Sequence, residues 1–156
     1  MTKVAAIQMA SGPNVGANLI EAGRLIADAV MSGAQLIVLP ENFALMGSSE
    51  ADKLKHKEPL GKGPIQDFLR EQAKKHKVWL VCGTVPIAAE NGDKVYASSL
   101  VLDEQGQVVA RYDKIHLFDV VLEESGERYT ESDTLEAGDQ VVVVSGDKDL
   151  TQLASD

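Results

Sequence analysis

The chain has 156 residues, of which 44% are hydrophobic and 25% are charged, so we expect one globular domain. It has neither an apolar run long enough to cross a membrane nor a start that resembles a signal peptide, so we expect a cytoplasmic protein without membrane contact. Its single cysteine, Cys82, excludes an internal disulfide and a metal site made of cysteines alone. The formal net charge of -9 is concentrated between Asp119 and Asp156, where eleven acidic residues accompany two basic ones; we interpret this segment as a solvated face that argues against nucleic-acid binding.

The first part of the sequence predicts a strand, a helix and a second strand. Residues 4–9 are mostly apolar, and the segment is short enough for a buried strand. Apolar residues then recur at helical spacing from Leu19 to Val30, and Gly33 stands where a left-handed residue would end the helix. The segment from Gln35 to Leu39 is apolar at every position after the first, which predicts a central strand that is covered on both faces.

The next part predicts a loop, a helix and a third strand. Residues 42–63 show little periodicity, so we expect a long surface loop with a short helical turn near Glu50 to Leu54. Pro64 suits the first position of a helix. Residues 78–84 read as one continuous strand.

The following residues predict antiparallel neighbours. Asn91-Gly92 is a hairpin signal before a strand at Val95 to Leu102, and the turn at residues 103–106 precedes another at Val108 to Tyr112. Two β-α-β passes that lead into a meander indicate an α/β layered fold with a mixed sheet. After Lys114 we expect an irregular acidic segment that continues to Gly138, followed by a strand at Val141 to Val144.

Glu41 directly follows a predicted buried strand and a proline. Its carboxylate should therefore stand at the carboxyl end of that strand, where open α/β sheets place their ligand crevices. A half-buried carboxylate there can act as a general base with a raised pKa. An ordinary acidic loop residue is the alternative.

Lys114 ends a predicted strand, between Tyr112 and Ile115. Its ammonium is expected to point into a partly enclosed space, where a cation can stabilise a developing oxyanion. A surface lysine whose alkyl chain covers apolar neighbours is the alternative.

Three segments together resemble successive motifs of the carbon-nitrogen hydrolase, or nitrilase, superfamily, particularly its Nit-type amidase branch. They are Leu36-Ile-Val-Leu-Pro-Glu41, Val81-Cys-Gly-Thr84 and Tyr112-Asp-Lys-Ile-His-Leu-Phe-Asp119. The similarity extends from about Lys3 to Val144. The resemblance implies the N-terminal part of an α-β-β-α sandwich, incomplete in this chain, with a mixed sheet flanked by helices.

The resemblance also implies a glutamate, lysine and cysteine mechanism. Glu41 matches the general base, Lys114 the oxyanion-stabilising lysine, and Glu131 a second, assisting glutamate. The implied reaction is hydrolysis of a small-molecule amide, with carboxylate-bearing amides as the expected class, in a homo-oligomer that uses no metal or organic cofactor.

Cys82 is not expected to be the nucleophile. It lies inside a predicted continuous strand, without the sharp turn that would expose its sulfur, and the family's nucleophile belongs in a later Cys-Tyr-Asp type motif. We therefore interpret Cys82 as a core residue. The chain is expected to be truncated before the nucleophile and inactive by itself.

Residues 145–156 are expected to form a divergent polar tail after a hydrolase portion at residues 1–144. Val141 to Asp156 resembles a short motif of the 5′-nuclease domain of bacterial DNA polymerase I, in which Asp147 and Asp149 match metal-binding aspartates. Two carboxylates are too few for a two-metal phosphodiesterase site. A fragment with a nuclease-like tail and a non-catalytic assembly module remain the alternative functions.

Overall fold

The computed structural model describes residues 2–90, 92–121 and 128–139 of the chain. Within these residues the strands are β1 (Val4–Ala6), β2 (Leu36–Leu39), β3 (Trp79–Cys82), β4 (Val85–Ala88), β5 (Val95–Leu102), β6 (Val108–Asp113), β7 (Asp119–Val121) and β8 (Arg128–Thr130). The helices are α1 (Val15–Met31), α2 (Ala51–Lys55) and α3 (Pro64–His76), and a 3₁₀ turn follows β8 at Glu131–Asp133. None of the helices in this part of the chain is long and apolar enough to cross a membrane.

The main sheet is mixed, as the sequence predicts. Strands β1, β2 and β3 are parallel neighbours, and helices α1 and α3 connect them, as parallel pairing requires. Strand β5 then runs antiparallel to β3, β4 and β6. Strands β3 and β4 both pair along the same edge of β5, so they act as one strand that is interrupted at Gly83 and Thr84.

The two long helices pack together on one face of this sheet. Asn14 caps α1 by accepting a 3.0 Å hydrogen bond from the amide of Ala17, and Gly33 follows the helix with a φ of +85°. Ala22 and Ile26 of α1 are fully buried, as the helical spacing predicts. The core lies between these helices and the inward side chains of the sheet.

The expectation that both faces of β2 are covered is wrong for the described residues. Ile37 and Leu39 are buried beneath the helices, whereas Leu36 and Val38 on the opposite face are only partly buried. The strand is central because it lies between β1 and β3. Its unbroken apolar pattern therefore identifies a sheet with two apolar faces, of which the described helices cover one.

Two further expectations need correction. The strand predicted at residues 78–84 is present as β3 but ends at Cys82, because the backbone turns at Gly83, whose φ is +46°, and a further strand, β4, begins at Val85. The segment expected to be irregular contains the antiparallel pair β7–β8. Each strand of this ribbon has only three residues, which is too short for sequence periodicity to identify.

Some predictions concern residues after 139, outside the described part of the chain. The strand at Val141 to Val144 and the aspartates Asp147 and Asp149 lie outside the described residues. The boundary at residue 144, the polar tail and its resemblance to a nuclease motif therefore stay predictions.

Candidate active site

Glu41 stands directly after β2 and Pro40, at the carboxyl end of the parallel strands, as predicted. The backbone around it is fixed by the next residue, Asn42, which has a φ of +55°. The amide of Asn42 donates a 2.8 Å hydrogen bond to Oγ1 of Thr84, which follows β3. The side chain of Glu41 is 55% exposed, so it is more open than the half-buried carboxylate that the sequence predicts.

Gly83 allows the two strand ends to come together. A Cβ atom at this position would lie 1.9 Å from the carbonyl oxygen of Pro40, so only glycine permits this approach. Gly83 and Thr84 therefore have distinct roles in the Val81-Cys-Gly-Thr84 motif. The glycine gives the backbone of Pro40 room, and the threonine holds Asn42 on the other side of Glu41.

Lys114 reaches the site from the end of β6. Its backbone amide donates to the carbonyl of Ala97, and its own carbonyl accepts from the amide of Gly138, so the main chain is held on both sides. The side chain is 25% exposed, in agreement with the predicted partly enclosed position. Its Nζ atom lies 3.3 Å from Oε1 of Glu41 and 2.9 Å from Oε2 of Glu131.

Glu131 begins the 3₁₀ turn after β8, and its side chain is only 14% exposed. Its Oε2 atom accepts a 2.8 Å hydrogen bond from the backbone amide of Phe118 as well as the contact from Lys114. The structure thus brings the three predicted site residues together, with the ammonium of Lys114 between the carboxylates of Glu41 and Glu131.

This arrangement fixes the charged forms of Lys114 and Glu131. Burial favours the neutral form of Lys114, but the hydrogen bond to Glu131 and the charge of Glu41 outweigh it and raise the pKa of the lysine. Burial also opposes ionisation of Glu131, yet the hydrogen bonds from Phe118 and Lys114 and the charges of Lys114 and Lys53 lower the pKa of this carboxyl. An open carboxylate can accept a proton, and a fixed cation beside it can stabilise a developing oxyanion.

A shallow apolar depression adjoins the two residues on the open face of the sheet. Its volume is about 410 Å³, and besides Glu41 and Lys114 it is lined by residues including Val38, Val81, Ala97, Ser99 and Tyr112. Apolar walls with a few convergent polar groups are typical of small-molecule sites. The depression therefore has the composition of a small-molecule pocket, with both charged side chains in its lining.

Cys82 lies on the other face of the same sheet. It is fully buried in the core, as the sequence predicts, and burial raises the pKa of its thiol above the usual 9.0. Its sulfur contacts the carbonyl of Leu80. A nucleophilic cysteine needs an accessible thiolate, so Cys82 has the opposite environment.

Sequence reasoning missed Lys53 of α2. Its Nζ atom lies 2.7 Å from Oε2 of Glu50 and 3.9 Å from Oε1 of Glu131. The segment at residues 42–63 contains four lysines without helical periodicity, so no pattern distinguishes Lys53 from its neighbours. Only the fold shows that this lysine approaches a residue 78 positions further on in the sequence, Glu131.

The chain is similar to a known family and to several of its members. Residues 3–153 match the carbon-nitrogen hydrolase family. The chain is 41% identical over 110 residues to a deaminated glutathione amidase of Yersinia enterocolitica, a match that covers 70% of this chain and 38% of the relative. It is 33% identical over 118 residues to the omega-amidase NIT3 of Saccharomyces cerevisiae, covering 70% of this chain and 40% of that protein.

Solved structures show the same fold. The NitFhit protein of C. elegans superposes with a TM-score of 0.77 at 25% identity, over 91% of this chain and 35% of that one. Nit3 of Saccharomyces cerevisiae, from branch 10 of the nitrilase superfamily, superposes with a TM-score of 0.74 at 31% identity, over 89% of this chain and 49% of that one. The chain thus spans half or less of the length of these relatives. It belongs to the carbon-nitrogen hydrolase family, in the Nit-type branch of the nitrilase superfamily.

Proposed function

We propose that this chain carries the acid-base part of a thiol amidase site. Glu41 is the general base, Lys114 stabilises the oxyanion, and Glu131 holds Lys114 in place. The observation that supports these roles best is the position of the Lys114 ammonium, 3.3 Å from Glu41 and 2.9 Å from Glu131 at the rim of an apolar depression.

The exposure of the two glutamates supports different roles for them. The carboxylate of Glu41 is open to the depression and can accept the proton of a thiol, and later that of a water molecule that cleaves the thioester. Glu131 is enclosed and saturated with donors, so it suits a fixed counter-charge. Lys114 then stays protonated and meets the negative charge that forms on the substrate oxygen.

The substrates that we propose are small amides that bear a carboxylate. The names of the relatives support this class, because they describe a deaminated glutathione amidase and an omega-amidase. The products would be a carboxylic acid and ammonia or an amine. We propose no metal or organic cofactor, since the acid-base groups and a thiol account for each step.

The reacting thiol is proposed to come from outside these 156 residues. Cys82 is their only cysteine, and it is buried on the face of the sheet opposite the depression. We therefore expect the 156-residue chain to release no ammonia by itself. Amide hydrolysis that is lost in Glu41→Gln or Cys82→Ala variants of this chain would overturn that proposal.

An assembly role is the second candidate, and the open face of the sheet favours it. Val38, Val81 and Tyr112 leave apolar surface uncovered on that face, next to Glu41 and Lys114. Exposed apolar patches of this kind drive association. We propose that the chain works as a cytoplasmic homo-oligomer in which this face is covered. Sedimentation of the purified chain tests this, because a stable monomer would contradict it.

A chimera tests the amidase proposal itself. In it, this chain replaces the segment that it matches in the Yersinia enterocolitica relative, which supplies the remainder of the protein. Ammonia release from omega-amides of dicarboxylic acids is the expected result. A folded chimera that leaves these amides intact would contradict the proposal.

A further inference from the structure

Lys53 approaches the site from an element that the proposed mechanism does not use. It lies in α2, the short helix of the loop between Glu41 and α3. Its Nζ atom contacts Glu50, the residue just before that helix, at 2.7 Å and lies 3.9 Å from Oε1 of Glu131. The lysine therefore joins the loop after the general base to the turn that carries the second glutamate.

The environment of Lys53 differs from that of the other lysine of the same helix. The side chain of Lys53 is 13% exposed, whereas that of Lys55 is 70% exposed and pairs with Asp52 on the surface. Lysine side chains are seldom enclosed to this degree without a charged partner. Lys53 has two such partners, and one of them belongs to the site.

Glu131 is held from three directions. Phe118 donates its backbone amide to Oε2, Lys114 contacts both carboxylate oxygens, and Lys53 approaches Oε1 from the opposite element. Lys114 also forms an ion pair with Glu41, at a distance of 3.3 Å. Lys53 supplies a second positive charge near Glu131, so the ionised form of that carboxylate depends less on Lys114.

On the basis of the proposed function, we propose that Lys53 is a positioning residue of this site. It keeps Glu131 ionised and in place, so that Lys114 remains directed towards Glu41 and the depression. Glu50 orients Lys53 from the position just before α2, and the approach to Glu131 fixes the loop that follows Glu41. The role is indirect, because Lys53 acts through Glu131 and does not line the depression beside Lys114.

The charges around Glu131 support this role. Lys114 and Lys53 are its cationic neighbours, and both lower the pKa of the Glu131 carboxyl against the effect of burial. Negative charge faces it from Glu41 through Lys114, from Glu50 through Lys53, and from Asp119, which accepts the backbone amide of Ser132. Loss of one of two cations in such a cluster favours the neutral carboxyl.

The test is a carbon-13 NMR titration of the glutamate carboxyls in the folded 156-residue chain. The Glu131 signal is assigned by its absence in Glu131→Gln. Lys53→Gln should raise the Glu131 midpoint, Lys53→Arg should restore it, and Lys55→Gln is the matched control on the same helix. A Glu131 midpoint that is the same in Lys53→Gln and Lys55→Gln would overturn the proposal.

A second measurement covers the case in which Lys53→Gln does not fold. The Glu50→Gln variant removes the nearer carboxylate partner of Lys53. In this variant the chemical shifts of the Lys53 side chain should change with pH at the Glu131 midpoint, whereas those of Lys55 should not. Lys53 chemical shifts that do not change across the Glu131 midpoint would overturn the proposal. Neither titration measures amide hydrolysis, so failure here is distinct from failure of the proposed function.

Discussion

The Nζ atom of Lys114 lies 3.3 Å from Oε1 of Glu41, although 73 positions separate the two residues in the sequence. Glu41 is placed by the end of β2, and Lys114 by the end of β6. The strands between them, β3 and β5, set the distance across the sheet. The ion pair is therefore a consequence of strand order and register.

Glu131→Gln should reduce the dependence of stability on acid. The folded-state pKa of Glu131 lies below its usual value of 4.5, so its stabilisation is fully present above pH 4.5 and is lost as the pH falls through the folded-state pKa. Urea unfolding of the wild type and the variant at several acidic pH values measures this. The free energy of unfolding should fall less steeply towards acid in Glu131→Gln, and equal slopes would be the contrary result.

Gly83→Ala should destabilise the protein by at least about 2 kcal/mol, because the new methyl group collides with the Pro40 carbonyl in a left-handed backbone. Gly92→Ala is the matched control, since Gly92 has a φ of +77° and open space around its Cβ position. The control should cost only about 1 kcal/mol. Thermal unfolding of both variants tests the close approach, and equal losses would argue against it.

Cys82 should react with a thiol reagent only after unfolding. The residue is fully buried and its thiol pKa is raised, so the native protein offers neither access nor thiolate. Labelling with an aromatic disulfide reagent, with and without denaturant, measures both rates. Rapid labelling of the folded chain would show that the sulfur is accessible and would make Cys82 a candidate nucleophile, contrary to our interpretation.

Glu58→Ala should destabilise α3 by about 1 to 3 kcal/mol, because Glu58 caps the helix from a buried position. Its carboxylate accepts hydrogen bonds from the backbone amides of Ile65 and Gln66 at 2.6 and 3.1 Å. Asp67→Ala, at an exposed residue in the same first turn, should cost less than about 1 kcal/mol. Chemical unfolding distinguishes the two, and a smaller loss in Glu58→Ala would contradict the capping role.

The sequence predicts the fold where a pattern is long enough to identify an element. Helical spacing predicts α1, and Pro64 predicts the start of α3. The turn at residues 103–106 predicts the antiparallel pair β5–β6, where the amide of Gly106 donates to Asp103. The close approach of Gly83 to the carbonyl of Pro40 cannot be read from the local sequence, because Pro40 is distant along the chain.

The site is predictable only in part for a related reason. Glu41 and Lys114 follow apolar strands, and strand ends can be read from sequence. Glu131 was identified by resemblance, and its contacts with Lys114 and Phe118 depend on a turn that follows a three-residue strand. Lys53 carries no local signal, because its burial arises where the loop folds against the rest of the site.

The most direct test of the central claim uses the chimera with the Yersinia enterocolitica relative as the enzyme and an omega-amide as the substrate. The kcat/KM is measured for the unchanged chimera and for its Glu41→Gln, Lys114→Met and Cys82→Ala variants. Loss of the general base or of the oxyanion cation should lower kcat/KM by at least about 100-fold, whereas Cys82→Ala should leave it nearly unchanged. Activity that survives in Glu41→Gln and Lys114→Met, or that disappears in a folded Cys82→Ala variant, would contradict the assignment of these residues.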